Sequence, residues 1–245
     1  MFKAEIKADT LKEMIRVIST LIDEAKFQVG PEGLKIKAVD PAHVAMVDLS
    51  LSAEAFESYQ ADEMEIGVDI DKLNEVVKLS GGQDIIAIRY DEEKNRLVIK
   101  TGNITRRMAL VDTAGMSDPK IPNLNLPAKV VLKASELTQG IKASESISDH
   151  LSLIVNPEGF ELSSQGDQDS VNLKLHKDLL EDLEAKETAK SLFSLDYFAN
   201  MIKSVGQSES VTLFMGSDYP VKMEFLFADG KGEVVYLLAP RIESE

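Results

Sequence analysis

The triplet Pro31-Glu32-Gly33 returns 126 residues later as Pro157-Glu158-Gly159, so the 245-residue chain reads as two halves of one design. The same offset lays Leu11 on Leu137 and Ile15 on Ile141, and an offset of 125 lays Val76-Val77-Lys78 on Met201-Ile202-Lys203. A chain of this length accommodates two domains of ordinary size. With 44% apolar residues, each half can fill a core of its own.

Each half divides again. Four segments carry helical spacing, and each opens on a residue able to cap a helix by accepting a hydrogen bond from a free backbone N–H: Asp9, Asp71, Ser135 and Asp196, spaced 62, 64 and 61 apart. A large apolar residue stands two positions beyond each cap (Leu11, Leu73, Leu137, Phe198). Apolar pairs follow at the fifth and sixth positions, and only Gly140-Ile141 breaks the pattern. Between the helices, alternation in Phe2 to Ile6, Leu34 to Ala38, Val47 to Leu51, Val211 to Met215, Val221 to Phe227 and Val234 to Ala239 predicts strands, with turn residues such as Gly81-Gly82, Gly102-Asn103 and Asp229-Gly230 separating them. The expected fold is α+β: two homologous domains, 1–115 and 128–245, each a duplicated strand-helix-three-strand unit. Residues 116–127 form the connector, which holds Pro119, Pro122 and Pro127. Met116, Ile121, Leu124 and Leu126 are unusually apolar for a linker and suggest a docking strip.

Charge and composition exclude several functions. The chain has 27 Lys and Arg against 42 Asp and Glu, a net −15, so bulk charge cannot bind nucleic acid and any DNA contact is local. Without Cys there is no disulfide, thiolate-metal site or thiol catalysis. No apolar run approaches the ~20 residues of a membrane helix, and Met1 to Lys7 alternates where a signal peptide would be continuously apolar. The expectation is an acidic protein of the cytoplasm, associated with the nucleoid and not with a membrane.

No catalytic constellation emerges. His43, His150 and His176 are too scattered for a local metal motif, and neither a phosphate-binding glycine loop nor a nucleophile elbow is present, so neither metal nor cofactor is expected. Asp69-Ile70-Asp71 could hold a divalent cation, but Asp71 reads better as a helix cap and Asp69 as a charge favoured by the helix dipole. The informative pattern is cationic. Seven positions beyond each cap stand Arg16, Lys78, Lys142 and Lys203. At the overall frequency of basic residues, four matches in four arise by chance on the order of once in several thousand, or about once in several hundred when the choice of position is allowed for. That position lies about 150° around the helix from the apolar stripe, so these cations face solvent. Mild phosphate attraction without base contacts suits a protein that moves along DNA.

The chain resembles the DNA sliding clamps of the proliferating cell nuclear antigen family in their archaeal form, over its whole length. The resemblance is carried by Ala38-Val39-Asp40-Pro41-Ala42-His43-Val44-Ala45-Met46-Val47, the connector around Ile121-Pro122, and Leu238-Ala239-Pro240-Arg241-Ile242-Glu243. It implies three identical chains closing head to tail into a ring, helices lining the hole and sheets outside, with edges Ile104 to Val111 and Val171 to His176 meeting across the joint. Arg106 and Arg107 would then pair with Glu145 or Asp149. Lys78, Lys142, Lys203 and Lys12 match positions the family turns toward DNA, while Arg16 rests on the repeat pattern alone; Gln139 stands where some relatives have a second basic residue. The resemblance further implies a pocket for short peptide motifs of DNA polymerase, clamp loader, flap endonuclease and DNA ligase, walled by Val39, His43, Val44, Met46, Ile121, Leu126, Pro220, Ala239 and Pro240. The expected function is a non-enzymatic processivity factor that encircles duplex DNA. The alternatives are a clamp-fold adaptor, monomeric or heteromeric, that does not encircle DNA, and a metal enzyme built on Asp69 and Asp71.

Overall fold

The structure, a computed structural model, describes residues 1–116, 118–206 and 209–242. Ser117 of the connector and Glu243 of the terminal signature lie outside the described residues. The chain forms two compact units, one of residues 1–120 with 226–234 and the other of 121–225 with 235–245.

The first unit runs β1 (Phe2–Lys7), α1 (Ala8–Ile18), β2 (Glu24–Gly30), β3 (Gly33–Val39), β4 (Ala45–Ser52), β5 (Ser58–Ala61), β6 (Met64–Asp69), α2 (Ile70–Val77), β7 (Ile85–Asp91), β8 (Arg96–Thr101) and β9 (Ile104–Ala109). Its strands pair antiparallel in the orders β5-β1-β7-β8-β9 and β4-β3-β2-β6. From residue 128 the chain runs β10 (Ala128–Lys133), α3 (Ala134–Ser144), β11 (His150–Asn156), β12 (Gly159–Gln165), β13 (Ser170–His176), β14 (Asp182–Glu184), β15 (Ala189–Ser194), α4 (Leu195–Ser204), β16 (Ser210–Met215), β17 (Val221–Phe227) and β18 (Gly232–Leu238), all in the second unit except the end of β17 and the start of β18, which fall within 226–234. The sheets of this half run β14-β10-β16-β17-β18 and β13-β12-β11-β15.

The strand-helix-three-strand unit therefore appears four times, as expected. Strands β5 and β14 are additions. Each follows a single 3₁₀ turn, Ala53–Ala55 or Lys177–Leu179, and pairs with the first strand of its unit. They are short, with no buried residue, and leave no alternation to read.

The repeated triplet has a steric cause. Gly33 and Gly159 close the β2–β3 and β11–β12 hairpins at φ +136° and +157°, and a Cβ at either would collide with the carbonyl of Leu51 or Leu175 on the next strand. Only glycine satisfies both demands.

The helix starts differ from the sequence expectation. Asp9, Asp71, Ser135 and Asp196 lie inside their helices, and the N-caps are Lys7, Asp69, Lys133 and Ser194. Of these, Asp69 alone caps with its side chain, accepting from Lys72 N at 2.9 Å. The others dispense with a side-chain cap because the first amide of each helix is satisfied by a carbonyl from the loop that follows its partner helix. Ala8 N donates to Asp84 O (2.9 Å), Ile70 N to Asp23 O (2.8 Å), Ala134 N to Glu209 O (3.0 Å) and Leu195 N to Asp149 O (2.9 Å). Each helix pair thus caps itself reciprocally through the backbone, which single-residue preferences cannot reveal. Asp9, Asp71 and Asp196 sit instead in the first turn, where the helix dipole favours negative charge.

The apolar stripes pack as expected: Leu11, Leu73, Leu137 and Phe198 are all fully buried, each contributing on the order of 1.5–3 kcal/mol. Gly140, the gap in the α3 stripe, is a contact. A Cβ there would lie 3.0 Å from Leu173 Cδ2 and 3.1 Å from Leu162 Cδ2, so glycine lets β12 and β13 press against the helix.

Candidate functional site

The four cations placed by the helical repeat are exposed, on helices whose opposite faces are buried. Arg16 lies in the last turn of α1, Lys78 is the C-cap of α2, and Lys142 and Lys203 lie in the last turns of α3 and α4. Cations at helix C-termini also complement the dipole. Their field is locally diluted. Lys203 Nζ lies 3.7 Å from Glu145 Oε1, and half-buried Lys12 donates from Nζ to Ser80 O at 2.7 Å, which ties α1 to the segment after α2.

Asp69 and Asp71 do not cooperate. Asp69 is occupied by the Lys72 amide and by the Lys72 ammonium at 2.5 Å, and that pairing holds its carboxyl below the usual carboxylate range. Sequence reading gave the cap to Asp71; the structure gives it to Asp69. Among the described residues no group of three or more His, Asp or Glu is arranged to hold a metal ion.

The signature segment 38–47 is organised by a residue whose role the sequence does not disclose. Asp40 is buried, and its carboxylate accepts hydrogen bonds from the amides of Ala42 (3.0 Å), Val44 (2.8 Å) and Ala45 (2.7 Å). This clamp folds 40–45 into a tight loop in which His43 takes φ +57°. His43 and Val44 are pushed into solvent while Met46 returns to the core and Val39 stays half-buried. An aspartate in such a run reads as an ordinary turn residue; three convergent amides show only in three dimensions.

The connector's early part is pinned within the first unit. Val111 N donates to Gly67 O at 2.9 Å, so the chain leaves the β9 edge after Ala109 and the expected edge Ile104 to Val111 is two residues shorter. Asp118 accepts from Lys26 Nζ at 2.7 Å and Gln28 Nε2 at 2.9 Å, both on β2, with Glu65 Oε1 3.5 Å from the same ammonium. Lys26 is buried, and the Asp118 hydrogen bond holds its pKa above the usual lysine range. In the second unit, Ile121 is exposed, whereas Leu126, Pro220, Ala239 and Pro240 are half-buried. Arg241 N donates to Leu192 O at 2.7 Å, fixing the segment after Pro240 against β15.

Both expected joint strands stand at free sheet edges, β9 in the first unit and β13 in the second. Within the chain, Arg106 Nη2 meets Glu75 Oε2 at 3.0 Å and Glu145 meets Lys203. Among the described residues Arg107 and Asp149 have no side-chain ion pair.

A four-fold β-α-β-β-β repeat in two units, with a cation on the exposed side of every helix, defines a clamp-fold protein. The family models for the N-terminal and C-terminal domains of proliferating cell nuclear antigen match residues 1–113 and 120–241, and the chain belongs to that family. It is 43% identical to a DNA polymerase sliding clamp of Methanocella arvoryzae and 42% identical to one of Methanococcoides burtonii, each over 246 residues and the whole of both chains. A solved structure of the C-terminal region of FEN-1 bound to A. fulgidus PCNA matches with a TM-score of 0.94 at 35% identity over all of both chains. PCNA from Thermococcus kodakaraensis matches with a TM-score of 0.91 at 29% identity over 98% of this chain and 100% of that one. Among the described residues no helix is long and apolar enough to cross a membrane.

Proposed function

We propose that this chain is a DNA sliding clamp and polymerase processivity factor, without catalytic activity of its own. The observation that carries the reading is full-length membership of the family together with an exposed cation repeated on all four helices. Three identical chains close into a ring, β9 of one pairing with β13 of the next, Arg106 and Arg107 facing Glu145 and Asp149. Lys12, Arg16, Lys78, Lys142 and Lys203 face duplex DNA and attract phosphates without reading bases. Because the protein as a whole is strongly acidic, the attraction is weak enough to permit sliding.

Short peptide motifs of DNA polymerase, flap endonuclease, DNA ligase and clamp loader dock on Val39, His43, Val44 and Met46 of the first unit and Ile121, Leu126, Pro220, Ala239 and Pro240 of the second. Residues 116–127 act as the connector between domains 1–115 and 128–245. The complex of a relative with the C-terminal region of FEN-1 supports the peptide reading. Tethering raises the effective concentration of the enzyme at its template, which is how a protein without an active site accelerates synthesis. The site of action is the nucleoid.

Light scattering over a dilution series tests the ring: three copies of a 27.0-kDa chain give about 81 kDa. Stimulation of a polymerase on primed circular DNA, dependent on a loader and ATP, tests the clamp. A persistent monomer that stimulates nothing would leave the adaptor reading in its place.

A further inference from the structure

The second unit carries a polar cleft of about 710 Å³ that the helices and the apolar docking residues do not use. Its floor is the face of the β13-β12-β11-β15 sheet opposite the helices. Leu151, Leu153 and Leu162 are buried on the helix side, and Leu162 lies against α3 at Gly140. Strand alternation then puts Ser152 and Ser163, which are direct cross-strand partners, on the other face. One wall is Lys190 with the Ser217-Asp218 turn, joined by Asp218 N donating to Lys190 O at 3.0 Å. The other is Arg241, anchored to Leu192 O through its amide.

Two observations mark this cleft as a binding site. Ser152 is more than nine-tenths buried and lines it, yet its Oγ has no hydrogen-bond partner among the described residues. A buried hydroxyl without a partner is uncommon and calls for an occupant. Lys190 and Arg241, in turn, have no ion pair among the described residues, on a chain whose acids outnumber its bases by 15. On a strongly acidic chain, two cations and the buried Ser152 hydroxyl line one cleft, in which Asp218 is the only acidic residue among those described.

We propose that the cleft is a second docking subsite, which accepts a carboxylate from an acidic residue flanking the apolar motif of a bound peptide. The inference rests on the docking reading above and adds an electrostatic anchor to it. A guanidinium receives a carboxylate through two parallel N–H bonds, and Lys190 and Ser152 supply further donors. Duplex DNA is not the occupant, because a duplex lying against α3 and α4 faces the opposite side of this sheet. Continuity favours the peptide: Arg241 directly follows Ala239 and Pro240, two of the proposed apolar contacts.

The test uses the full-length protein and the C-terminal peptide of A. fulgidus FEN-1 extended at either end by four Glu or four Gln, with affinity read by fluorescence anisotropy. For one of the two ends, the Glu peptide binds at least fivefold tighter than its Gln twin. The advantage vanishes in Lys190→Gln/Arg241→Gln and is reduced in Ser152→Ala, while the Gln twin binds all three proteins alike. Equal binding of the twins at both ends, or an advantage that survives the double substitution, overturns the proposal. A second measurement separates this failure from failure of the docking reading. In ¹H–¹⁵N spectra, N-acetyl-glutamate amide shifts Ser152, Lys190 and Arg241 and N-acetyl-glutamine amide does not, whether or not the long peptides bind. No shift overturns the subsite. The same shifts produced by inorganic phosphate at lower concentration than by the glutamate analogue assign the cleft to a free oxyanion and overturn the peptide assignment.

Discussion

Replacing Asp40 by alanine removes the acceptor for three backbone amides at once. Two of them, Ala42 and Val44, belong to part-buried bonds and recover water; Ala45 N is buried and cannot. Stranding one buried amide costs about 1–3 kcal/mol, and exchanging two bonds to a charged acceptor for bonds to water adds on the order of 1 kcal/mol more. The expected loss is therefore roughly 3 kcal/mol, which for a chain of this size lowers Tm by about 6–12 °C. Asp40→Asn is the sharper variant. Its carbonyl replaces Oδ1 and keeps the Val44 and Ala45 bonds, but its NH₂ confronts the Ala42 amide, donor to donor. The cost falls to about 1 kcal/mol and is concentrated where the loop holds His43 at positive φ. Calorimetry measures the stability, and anisotropy with a FEN-1 C-terminal peptide measures docking. Alanine should weaken the peptide more than asparagine does, and both more than a control substitution at Glu54, an exposed residue of the Ala53–Ala55 turn. An alanine variant that melts within 2 °C of the parent and binds peptide equally well would refute the claim that this carboxylate builds the loop.

Other perturbations bear on separate parts of the molecule. Changing Lys78, Lys142 and Lys203 together to Ala should leave the assembly mass unaltered and lower polymerase stimulation most at raised salt, with the log–log salt slope of DNA affinity reduced by up to about 2.7 per chain, or about 8 for a ring of three, if each cation meets one phosphate; an unchanged slope makes them ordinary surface lysines. Gly140→Ala gains about 1 kcal/mol of helix propensity but forces Leu162 and Leu173 outward at a cost of about 1–3 kcal/mol, so the denaturant midpoint should fall, and a rise would contradict the packing account. Arg107→Glu should lower the mass seen by light scattering at low concentration, whereas an unaltered trimer mass would remove Arg107 from the joint. The lowered pKa of Asp69 stabilises the fold above the unfolded carboxylate value near 3.9, a contribution lost as pH falls through the folded value. Asp69→Asn should then destabilise the fold at pH 7, where the charge that pairs with Lys72 is lost, and destabilise it progressively less as pH falls through the folded value, and losses that do not change with pH would show that the charge is irrelevant to the cap.

Much of this architecture was legible in the sequence because its physics is local. The apolar stripes of four helices recur with the same spacing, and the repeated triplet marks hairpins where Gly33 and Gly159 face the same carbonyl obstruction. What could not be read comes from partners distant in sequence. The observed caps lie two residues before the expected ones because all four helices begin on backbone carbonyls supplied by loops 46 to 76 residues away, and a carbonyl carries no residue identity. Gly140 looked like a defect because Leu162 and Leu173 come from strands beyond it. At the site, the cations were legible and their neighbours were not: the engagement of Lys12 with Ser80 and of Lys203 with Glu145 depends on how the helices of each unit pair.

Those engagements bear on how such a chain could hold DNA. Of the five proposed DNA-facing cations, Lys12 already has a strong acceptor and Lys203 a loose one, which leaves Arg16, Lys78 and Lys142 without ion pairs among the described residues. Lys12 would have to give up a 2.7 Å bond to the Ser80 carbonyl to meet a phosphate, whereas Lys203 at 3.7 Å from Glu145 gives up little, since exposed pairs are worth about 0–1 kcal/mol. The field along the helices is therefore graded, and the total attraction per chain stays small against the −15 of the whole. Retention on DNA then cannot come from affinity. In the proposed ring it comes from closure, and that places the functional burden on the free edges of β9 and β13 and on Arg107 and Asp149, the proposed joint charges that have no ion pair among the described residues.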